Sequence, residues 1–372
     1  PGHPGSSIRG RVEAIATGGA VSNTGIGLLR LGIETGLMGK VGKDFFGRGI
    51  MDCLADMGLG DTMTVVEGEN SSYTIVIAPP GTDRIFLHDT GANDTFGFED
   101  VDFEIVRNSR LFHFGYPPYM RRIHENNGEQ LVRIFRRAKE EGVVTSLDMA
   151  LPDPGGLSGQ TDWERVLERT LPYVDLFLPS VEEVLFMLDR ETFTRRQEEA
   201  GPGNLMDSLC IADIQQAAEK ALAYGTKVVV VKCGHLGLYM RTGPDPAPAF
   251  AGTPKGDNPK PARNRELWQP PFEVADIASA TGAGDAAIAG FLAACLRGIP
   301  LDRCLAYAGA TGAMSLRAVD AVSGVPSWEE LTTALHRGWP QAPVHLLEGA
   351  SDWSVNDTLH LWTGPNDTPP RA

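Results

Sequence analysis

Residues 279–285 read Ser-Ala-Thr-Gly-Ala-Gly-Asp and lie between a strand-like run, residues 272–277, and an apolar helical run, residues 286–296. A glycine-rich turn that opens a helix points free backbone N–H groups and the positive end of the helix dipole at one place. The sequence therefore predicts an anion site here. Asp285 places a carboxylate beside it, which is useful if the carboxylate must take a proton from a nucleophile that attacks a phosphoryl group.

A helix-capping turn is the simpler interpretation of this stretch, but its surroundings favour a functional one. A strand-like run comes before it, and the helix after it is dominated by small side chains, which allow close approach of a neighbouring backbone or a ligand. These small residues are Ala286, Ala287, Ala289, Gly290, Ala293 and Ala294.

Three other segments carry candidate site residues. Residues 18–23, Gly-Gly-Ala-Val-Ser-Asn, predict a glycine turn that leads into a helix, and the amide of Asn23 can both donate to and accept from hydroxyl groups. Ser180 and Glu183 form a capping box, and Glu183 at the end of a strand also suits the orientation of water around Mg²⁺. Residues 232–237, Lys-Cys-Gly-His-Leu-Gly, suggest a turn that a flat ring or a phosphate can approach.

Composition excludes several classes of protein. The chain has 372 residues and a net charge of −15, so a basic nucleic-acid-binding face is not expected. No apolar run reaches membrane-spanning length, so we expect no membrane partner. The five cysteines are scattered and no pair has metal-ligand spacing, which favours free thiols in a reducing cytoplasm.

The order of patterned segments predicts an α/β fold. From residue 111 to residue 232 strands alternate with helices, which predicts a parallel sheet with helices on both faces and ligands beyond the carboxyl ends of its strands. Before this part, three β-patterned runs predict a small antiparallel sheet, at residues 62–66, 73–78 and 85–88, with a hairpin turn at 79–83. Two segments break the rhythm and are interpreted as a surface loop, residues 190–210, and a flexible insertion, residues 242–266.

Together these motifs resemble the ribokinase-like (PfkB) carbohydrate kinase family over residues 18–330. The early signature is the turn ending in Asn23, followed by residues 39–47, Gly-Lys-Val-Gly-Lys-Asp-Phe-Phe-Gly. The late signature is residues 281–285. The resemblance implies a three-layer ribokinase-like fold, with a mostly parallel central sheet and a small antiparallel β lid.

The resemblance also implies an activity, the Mg·ATP-dependent transfer of a γ-phosphoryl group to a sugar hydroxyl. Asp285 would be the base, and the N–H groups of Gly282, Ala283 and Gly284 would stabilise charge on the transferred group. Gly19, Asn23 and Tyr116 would bind the substrate. Glu183 would act on Mg²⁺ through water, and the nucleotide pocket would be lined by Lys232, Gly234 and Gly237.

We expect one kinase domain over residues 1–335, followed by an extension of unknown role over residues 336–372. The lid, at about residues 10–17 and 60–92, would cover the sugar, exclude water and supply a homodimer contact. The family's first strand, which ends in a sugar-binding Asp, has no counterpart in the printed sequence, so we expect it upstream of Pro1.

Departures from the family pattern narrow the expectations. The family often carries Asp and Thr where Ser279 and Ala280 stand, which makes a monovalent-cation site doubtful. Residues 112–116 lack the acidic residue that ribokinases carry, which argues against ribose as the substrate. A nucleoside kinase of the same fold is the first alternative, and a non-catalytic sugar- or nucleotide-binding regulator is the second. The intact Asp285 and glycine turn argue against the regulator.

Overall fold

A central eight-stranded sheet organises the computed structural model, which describes residues 16–77, 85–201, 203–245 and 262–368. Residues 10–15 of the predicted lid, the predicted hairpin turn at 79–83 and residues 246–261 of the predicted insertion lie outside these described residues.

The strands in the described part of the chain are β1 (Lys40–Gly42), β2 (Thr64–Val66), β3 (Tyr73–Ile77), β4 (Ile85–Asp89), β5 (Leu111–Phe114), β6 (Val144–Leu147), β7 (Leu176–Phe177), β8 (Val228–Lys232), β9 (Leu238–Thr242), β10 (Glu266–Gln269), β11 (Ser354–Asn356) and β12 (Leu361–Thr363). The helices are α1 (Gly19–Arg30), α2 (Phe45–Ala55), α3 (Phe103–Arg107), α4 (Arg121–Glu140), α5 (Leu157–Gln160), α6 (Trp163–Thr170), α7 (Val181–Leu188), α8 (Arg190–Ala200), α9 (Ile211–Ala223), α10 (Ala283–Leu296), α11 (Leu301–Ser315) and α12 (Trp328–His336).

The order of strands in the central sheet is β11-β12-β10-β9-β8-β7-β6-β5. Strands β5 to β8 pair in parallel, and the four strands on the other side pair antiparallel. Because parallel strands share a direction, the residues after β5, β6, β7 and β8 meet at one edge of the sheet. This edge carries the candidate site.

Side-chain alternation along β8 shows the three layers. Val229 and Val231 are buried in one hydrophobic core, with side chains from α4, α6, α7 and α9. Val228 and Val230 are buried in a second core, with side chains from α10 and α11. Since successive strand residues point to opposite faces, the two cores lie on opposite faces of the sheet. The predicted three-layer arrangement is therefore confirmed.

Helix α10 is buried from Asp285 to Leu296, which explains its small side chains. A side chain on Gly290 would lie 2.7 Å from the carbonyl oxygen of Tyr307 in α11, and one on Gly27 in α1 would lie 2.8 Å from the Cβ of Ala289. The absence of side chains at these glycines lets α1 and α11 pack closely against α10. This packing fixes the position of the residues that begin α10.

The small antiparallel sheet is confirmed as the hairpin β3–β4, but one part of the prediction is wrong. Residues 64–66 do not join that hairpin and instead pair in parallel with β1. Strand β1 is short and buried, and β2 forms hydrogen bonds along one of its edges. The alternation of side chains along a strand does not indicate which strand it pairs with, so the sequence alone did not reveal this pairing.

Two further segments differ from the sequence interpretation, and the tail, whose role the sequence leaves open, joins the sheet. Residues 190–210 are not a surface loop, because Asp189 caps α8 by accepting from the amide of Thr192 at 3.1 Å. Residues 272–277 contribute only one bridge, between Phe272 and Gln341, and no strand. The tail beyond residue 335 adds β11 and β12 to the sheet beside β10.

All five cysteines are free, as predicted. Among the residues that the structure describes, no helix is both long and apolar enough to cross a membrane.

Candidate active site

Asp285 lies in the first turn of α10, and its carboxylate collects donors from two distant parts of the chain. The side-chain amide of Asn23 in α1 donates to Oδ2 at 2.9 Å. The hydroxyl of Tyr116, two residues after β5, lies 2.9 Å from Oδ1 and 2.8 Å from Oδ2. Thr24 lies at 3.5 Å from Oδ1. Asp285 is 3% exposed, so these donors take the place of water.

The ionisation of Asp285 depends on these neighbours. Burial raises the pKa of its carboxyl group, and the hydrogen bonds from Asn23 and Tyr116 oppose that rise, as does the charge of Lys232. A buried carboxylate with a raised pKa is a stronger proton acceptor than an exposed one. This is the property that a general base needs.

The glycine turn before Asp285 has the geometry of an anion site. Gly282 caps α10 with φ +77°, and a side chain there would lie 2.7 Å from the Cα of Ala321, so both conformation and space require glycine. The amides of Gly282 and Gly284 meet no hydrogen-bond acceptor among the described residues, whereas the amide of Ala283 donates to Ala280 O at 3.3 Å. Two amides of the predicted three are therefore available to an anion.

Lys232, the last residue of β8, lies against this turn. Its stem is 3.6 Å from the place that a Cβ on Gly284 would occupy. Its ammonium group forms an ion pair with Asp148 and donates to Leu178 O at 2.7 Å. Lys232 also lowers the pKa of the carboxyl groups of Glu183 and Asp285. Lys232 therefore lies between the glycine turn and the carboxylates of Asp148, Glu183 and Asp285.

Glu183 lies in the first turn of α7, on the other side of Lys232. Its Oε2 accepts from the amide of Ser180 at 2.6 Å, and Ser180 caps the helix in return, so the predicted capping box is present. Ser180 forms a parallel bridge with Lys232, which holds the start of α7 beside β8. Burial raises the pKa of Glu183, and the ammonium of Lys232 opposes this.

Glu183 and Asp148 fit a Mg²⁺ ion that is held mainly by phosphates and water. Mg²⁺ prefers oxygen ligands, keeps several waters and takes one or two carboxylates together with substrate phosphates. Oε1 of Glu183 accepts no hydrogen bond from the described residues, so it is available to a metal-bound water. Within the described ranges, no group of three or more His, Cys, Asp or Glu side chains is arranged as a metal site by itself.

The remaining predicted residues are three glycines in turns, at the start of α1 and between β8 and β9. Gly19 begins α1 with φ +78°, and a Cβ there would meet no atom of the described residues within 4 Å. Gly234 and Gly237 also have positive φ, but the space beside them is filled, by Met206 at 2.7 Å and by the backbone of residue 271 at 3.0 Å. The hairpin between β8 and β9 accounts for these two glycines without a ligand.

The early signature, residues 39–47, has a structural role. Asp44 caps α2 by accepting from the amide of Gly47 at 2.7 Å, and it also accepts from the amide and hydroxyl of Ser71, at 2.7 and 2.8 Å. These bonds lower the pKa of Asp44. A side chain on Gly47 would lie 2.6 Å from the Ser71 hydroxyl. The signature therefore joins α2 to the start of the β3–β4 hairpin.

Two residues of the site were missed from the sequence, Asp148 and Thr24. Asp148 directly follows β6, is 1% exposed and pairs with Lys232. Its signal was present, because a charged residue after a buried strand of a parallel sheet lies at the ligand-binding edge. Burial raises the pKa of Asp148, and the charge of Lys232 opposes the rise. Thr24 follows Asn23 in α1 and gave no separate signal.

Replacement of Lys232 by Met should destabilise the protein more at high pH than at low pH. The folded-state pKa values of Asp148 and Glu183 lie above their ordinary values, so the folded protein binds more protons and its unfolding free energy falls as pH rises. Without the ammonium these pKa values rise further. We expect a loss of about 3–5 kcal/mol at pH 8, from an uncompensated buried charge, and a smaller loss at pH 5, measured by urea unfolding.

Lys227→Met is the matched control, because it removes a half-exposed ammonium at 3.3 Å from Asp175, a residue that keeps Lys139 at 2.7 Å. It should change the unfolding free energy by about 1 kcal/mol or less at both pH values. An equal loss at pH 5 and pH 8 in Lys232→Met would contradict the role of Lys232 as the balancing charge.

The curated proteins similar in sequence include several kinases of sugars and sugar phosphates. An "Uncharacterized sugar kinase" of Archaeoglobus fulgidus is 27% identical over 302 residues, covering 81% of this chain and 98% of its own length. "Probable fructokinase-6, chloroplastic" of Arabidopsis thaliana is 25% identical over 330 residues, 86% of this chain and 74% of its own. An ATP-dependent ribose-1-phosphate kinase of Halopiger xanaduensis is 26% identical over 312 residues, 83% of each chain.

Solved structures share the fold. The ribokinase of Arabidopsis thaliana, in complex with ribose and ATP, has a TM-score of 0.67 and is 21% identical over 90% of this chain and 92% of that chain. An E. coli protein solved with ATP and Mg²⁺ has a TM-score of 0.62 and is 22% identical over 89% of this chain and 94% of that chain. The ribokinase-like fold predicted from the sequence is confirmed. The family model described as "pfkB family carbohydrate kinase" matches residues 3–328. The chain therefore belongs to the pfkB family of carbohydrate kinases.

Proposed function

We propose that this kinase transfers the γ-phosphoryl group of ATP to a hydroxyl group of a sugar, with Asp285 as the general base. One observation carries the proposal: the buried carboxylate of Asp285 lies in the first turn of α10, directly after a glycine turn with free amides. A base and an anion site within one helical turn are what phosphoryl transfer to an alcohol requires.

Each group acts on a different charge in the reaction. Asp285 accepts the proton of the attacking hydroxyl as the new O–P bond forms. The amides of Gly282 and Gly284, with Ala283 between them, donate to the oxygens of the transferred group, where negative charge increases. Lys232 uses two of its three N–H bonds on Asp148 and Leu178 O, which leaves the third for a phosphate of the nucleotide.

ATP and Mg²⁺ are the proposed cofactors. The solved neighbours of this fold include complexes with ATP and with Mg²⁺. When bound, Mg²⁺ neutralises phosphate charge, and Glu183 would hold one of its waters while Asp148 lies nearby. Gly234 and Gly237 remain proposed as part of the nucleotide pocket, where they shape the hairpin after Lys232. A monovalent cation is not part of the proposal, since Ser279 and Ala280 stand where the family often carries Asp and Thr.

Asn23 is the group best placed to hold a sugar hydroxyl. Its Nδ2 is used by Asp285, while its buried Oδ1 has no hydrogen-bond partner among the described residues. An unpaired buried acceptor is costly, and a donor hydroxyl from the substrate would remove that cost. The open turn at Gly19 lies one helical turn before it. The free thiols are consistent with the cytoplasm as the proposed compartment.

The β3–β4 hairpin is the proposed lid and dimer contact. Ile75 and its cross-strand neighbour Leu87 are each 52% exposed, and Val76, on the opposite face, is 47% exposed. The face of Ile75 and Leu87 thus presents apolar side chains, which suits a second copy of the chain, whereas the face of Val76 also carries the hydrogen-bonded pair Thr74 and His88, which suits a polar substrate. The ring of His88 lies 5.0 Å from that of Tyr119, close to the site.

Asp285→Asn should lower kcat by about 10²- to 10⁴-fold, because the amide cannot take the proton of the acceptor hydroxyl. Binding of Mg·ATP, measured by calorimetry, should remain close to that of the wild type, since the amides of the turn are unchanged. Asp52→Asn, on the exposed face of α2, is the control and should leave kcat unchanged. Near-normal turnover by Asp285→Asn would remove this residue from the role of base.

A panel of acceptors tests the substrate class. ADP formation from Mg·ATP should rise well above the acceptor-free rate with a sugar from a set that includes ribose, fructose and ribose 1-phosphate, acceptors that the names of the relatives and of the bound neighbour indicate. Turnover of adenosine with no turnover of any sugar would support the nucleoside kinase alternative. Tight binding of a panel member without any phosphoryl transfer would support the regulator.

Ile75→Lys should convert a homodimer into a monomer in sedimentation velocity, because it places a charge in an apolar contact surface. Val355→Lys is the control. Val355 has a similar exposure, 54%, but lies in β11, an edge strand of the central sheet and not of the hairpin, so the dimer should remain intact. A wild-type monomer, or a dimer that persists in Ile75→Lys, would exclude the hairpin as the dimer contact.

A further inference from the structure

The hydroxyl of Tyr116 occupies the place on Asp285 that the acceptor hydroxyl needs. It lies 2.9 and 2.8 Å from the two carboxylate oxygens, so a single O–H group faces both of them. Asn23 already donates to Oδ2 from another direction. A substrate hydroxyl or a water can give its proton to Asp285 only after it takes a place close to these oxygens. In this arrangement Tyr116 is in that place.

The backbone at Tyr116 shows that this contact is maintained against a conformational preference. Tyr116 has φ +62° and ψ +43°, a left-handed conformation that is a genuine outlier for a bulky residue. The buried Pro117 and Pro118 follow it, and Gly115 before it packs against Ala20 so tightly that a side chain would collide with it. Strain of this kind persists where the surrounding structure imposes it, and it is common at functional sites.

The chemistry of the phenol suits a reversible contact. Burial and the charge of Asp285 raise the pKa of Tyr116 well above its ordinary value, with smaller effects from Asp148 and Glu183. Lys232 also faces this cluster and acts on all three carboxylates. The hydroxyl therefore keeps its proton and donates it to the carboxylate as a hydrogen bond. The hydroxyl of a sugar can replace it, because it can donate the same hydrogen bond to the carboxylate.

We propose that Tyr116 protects Asp285 from water until an acceptor binds, and so limits wasteful hydrolysis of ATP. In hydrolysis a water would give its proton to Asp285, its oxygen would bond to the γ-phosphorus, and ADP would leave. A bound sugar is held by other contacts as well, so its hydroxyl displaces the phenol, whereas a single water does not. The proposal rests on the proposed function, in which Asp285 is the base.

The test compares Tyr116→Phe with the wild type in two assays. ADP release from Mg·ATP is measured without acceptor and with the sugar of the panel that gives the highest turnover. Loss of one hydrogen bond to a charged group should raise the ratio of hydrolysis to transfer roughly tenfold. The loss of a donor also raises the pKa of Asp285, so the acidic limb of the pH profile of hydrolysis should move to higher pH.

Tyr119→Phe is the matched control, because its ring lies 5.9 Å from that of Tyr116 but makes no hydrogen bond to Asp285. It should leave the ratio of hydrolysis to transfer unchanged. Thermal unfolding of both variants shows whether the fold is intact. If hydrolysis and transfer fall together in Tyr116→Phe with an unchanged ratio, Tyr116 only supports the structure and the proposal is wrong.

The two proposals fail in different ways. If Asp285→Asn retains normal transfer, the assignment of the base is wrong, whatever Tyr116→Phe does. If Asp285→Asn loses transfer and Tyr116→Phe leaves hydrolysis without acceptor at the wild-type rate, the base is correct and the protective role of Tyr116 is not.

Discussion

A carboxylate that is removed from water must be surrounded by donors, and this requirement at Asp285 determines how the rest of the site is built. The donors come from Asn23 at the start of α1 and from Tyr116 at the end of β5, which are more than 160 residues away from Asp285 along the chain. Each is useful only if α1, α10 and the sheet edge are held in fixed positions. The buried charge is thus possible only in the folded protein.

The close packing of helices provides that fixed geometry. Gly27 and Gly290 allow α1 and α11 to approach α10, and a side chain on Gly312 of α11 would lie 3.1 Å from the carbonyl oxygen of Ala283. The first turn of α10 is therefore held from both sides. Small residues in a helix are often attributed to contact with a ligand, but here their neighbours are other helices. The glycine turn before Asp285 is held in a fixed position as a result, which would favour preorganised stabilisation of charge at the proposed anion site.

The sequence was sufficient for the features that depend on local chemistry. The glycine turn before Asp285, the capping box at Ser180 and the alternation of strands and helices each follow from residues close together in the chain, and each is present. Features that depend on distant partners were not accessible. The pairing of residues 64–66 with β1, and the two tail strands beside β10, are choices among several open strand edges.

The site itself shows the same division. Asp285 and Glu183 could be proposed from their own helix starts, and Lys232 from the end of its strand. The contact between Tyr116 and Asp285 could not be proposed from the sequence. It depends on the left-handed conformation of Tyr116 and on the position of α10 at the sheet edge. Asp148 follows a buried parallel strand, and polar residues in that position meet at one edge of the sheet, so the sequence contained its signal.

Asp44 has a consequence for motion in this protein. Its carboxylate holds the amide of Gly47 at the start of α2 and both polar groups of Ser71 before β3, and the ring of Phe46 stacks on Tyr73 at 4.6 Å. The hairpin therefore cannot swing alone about residue 71, because α2 is attached to it. If the hairpin acts as the proposed lid, its movement would carry the helix along as one rigid unit, and the pivot would lie near Gly42 rather than at the base of the hairpin.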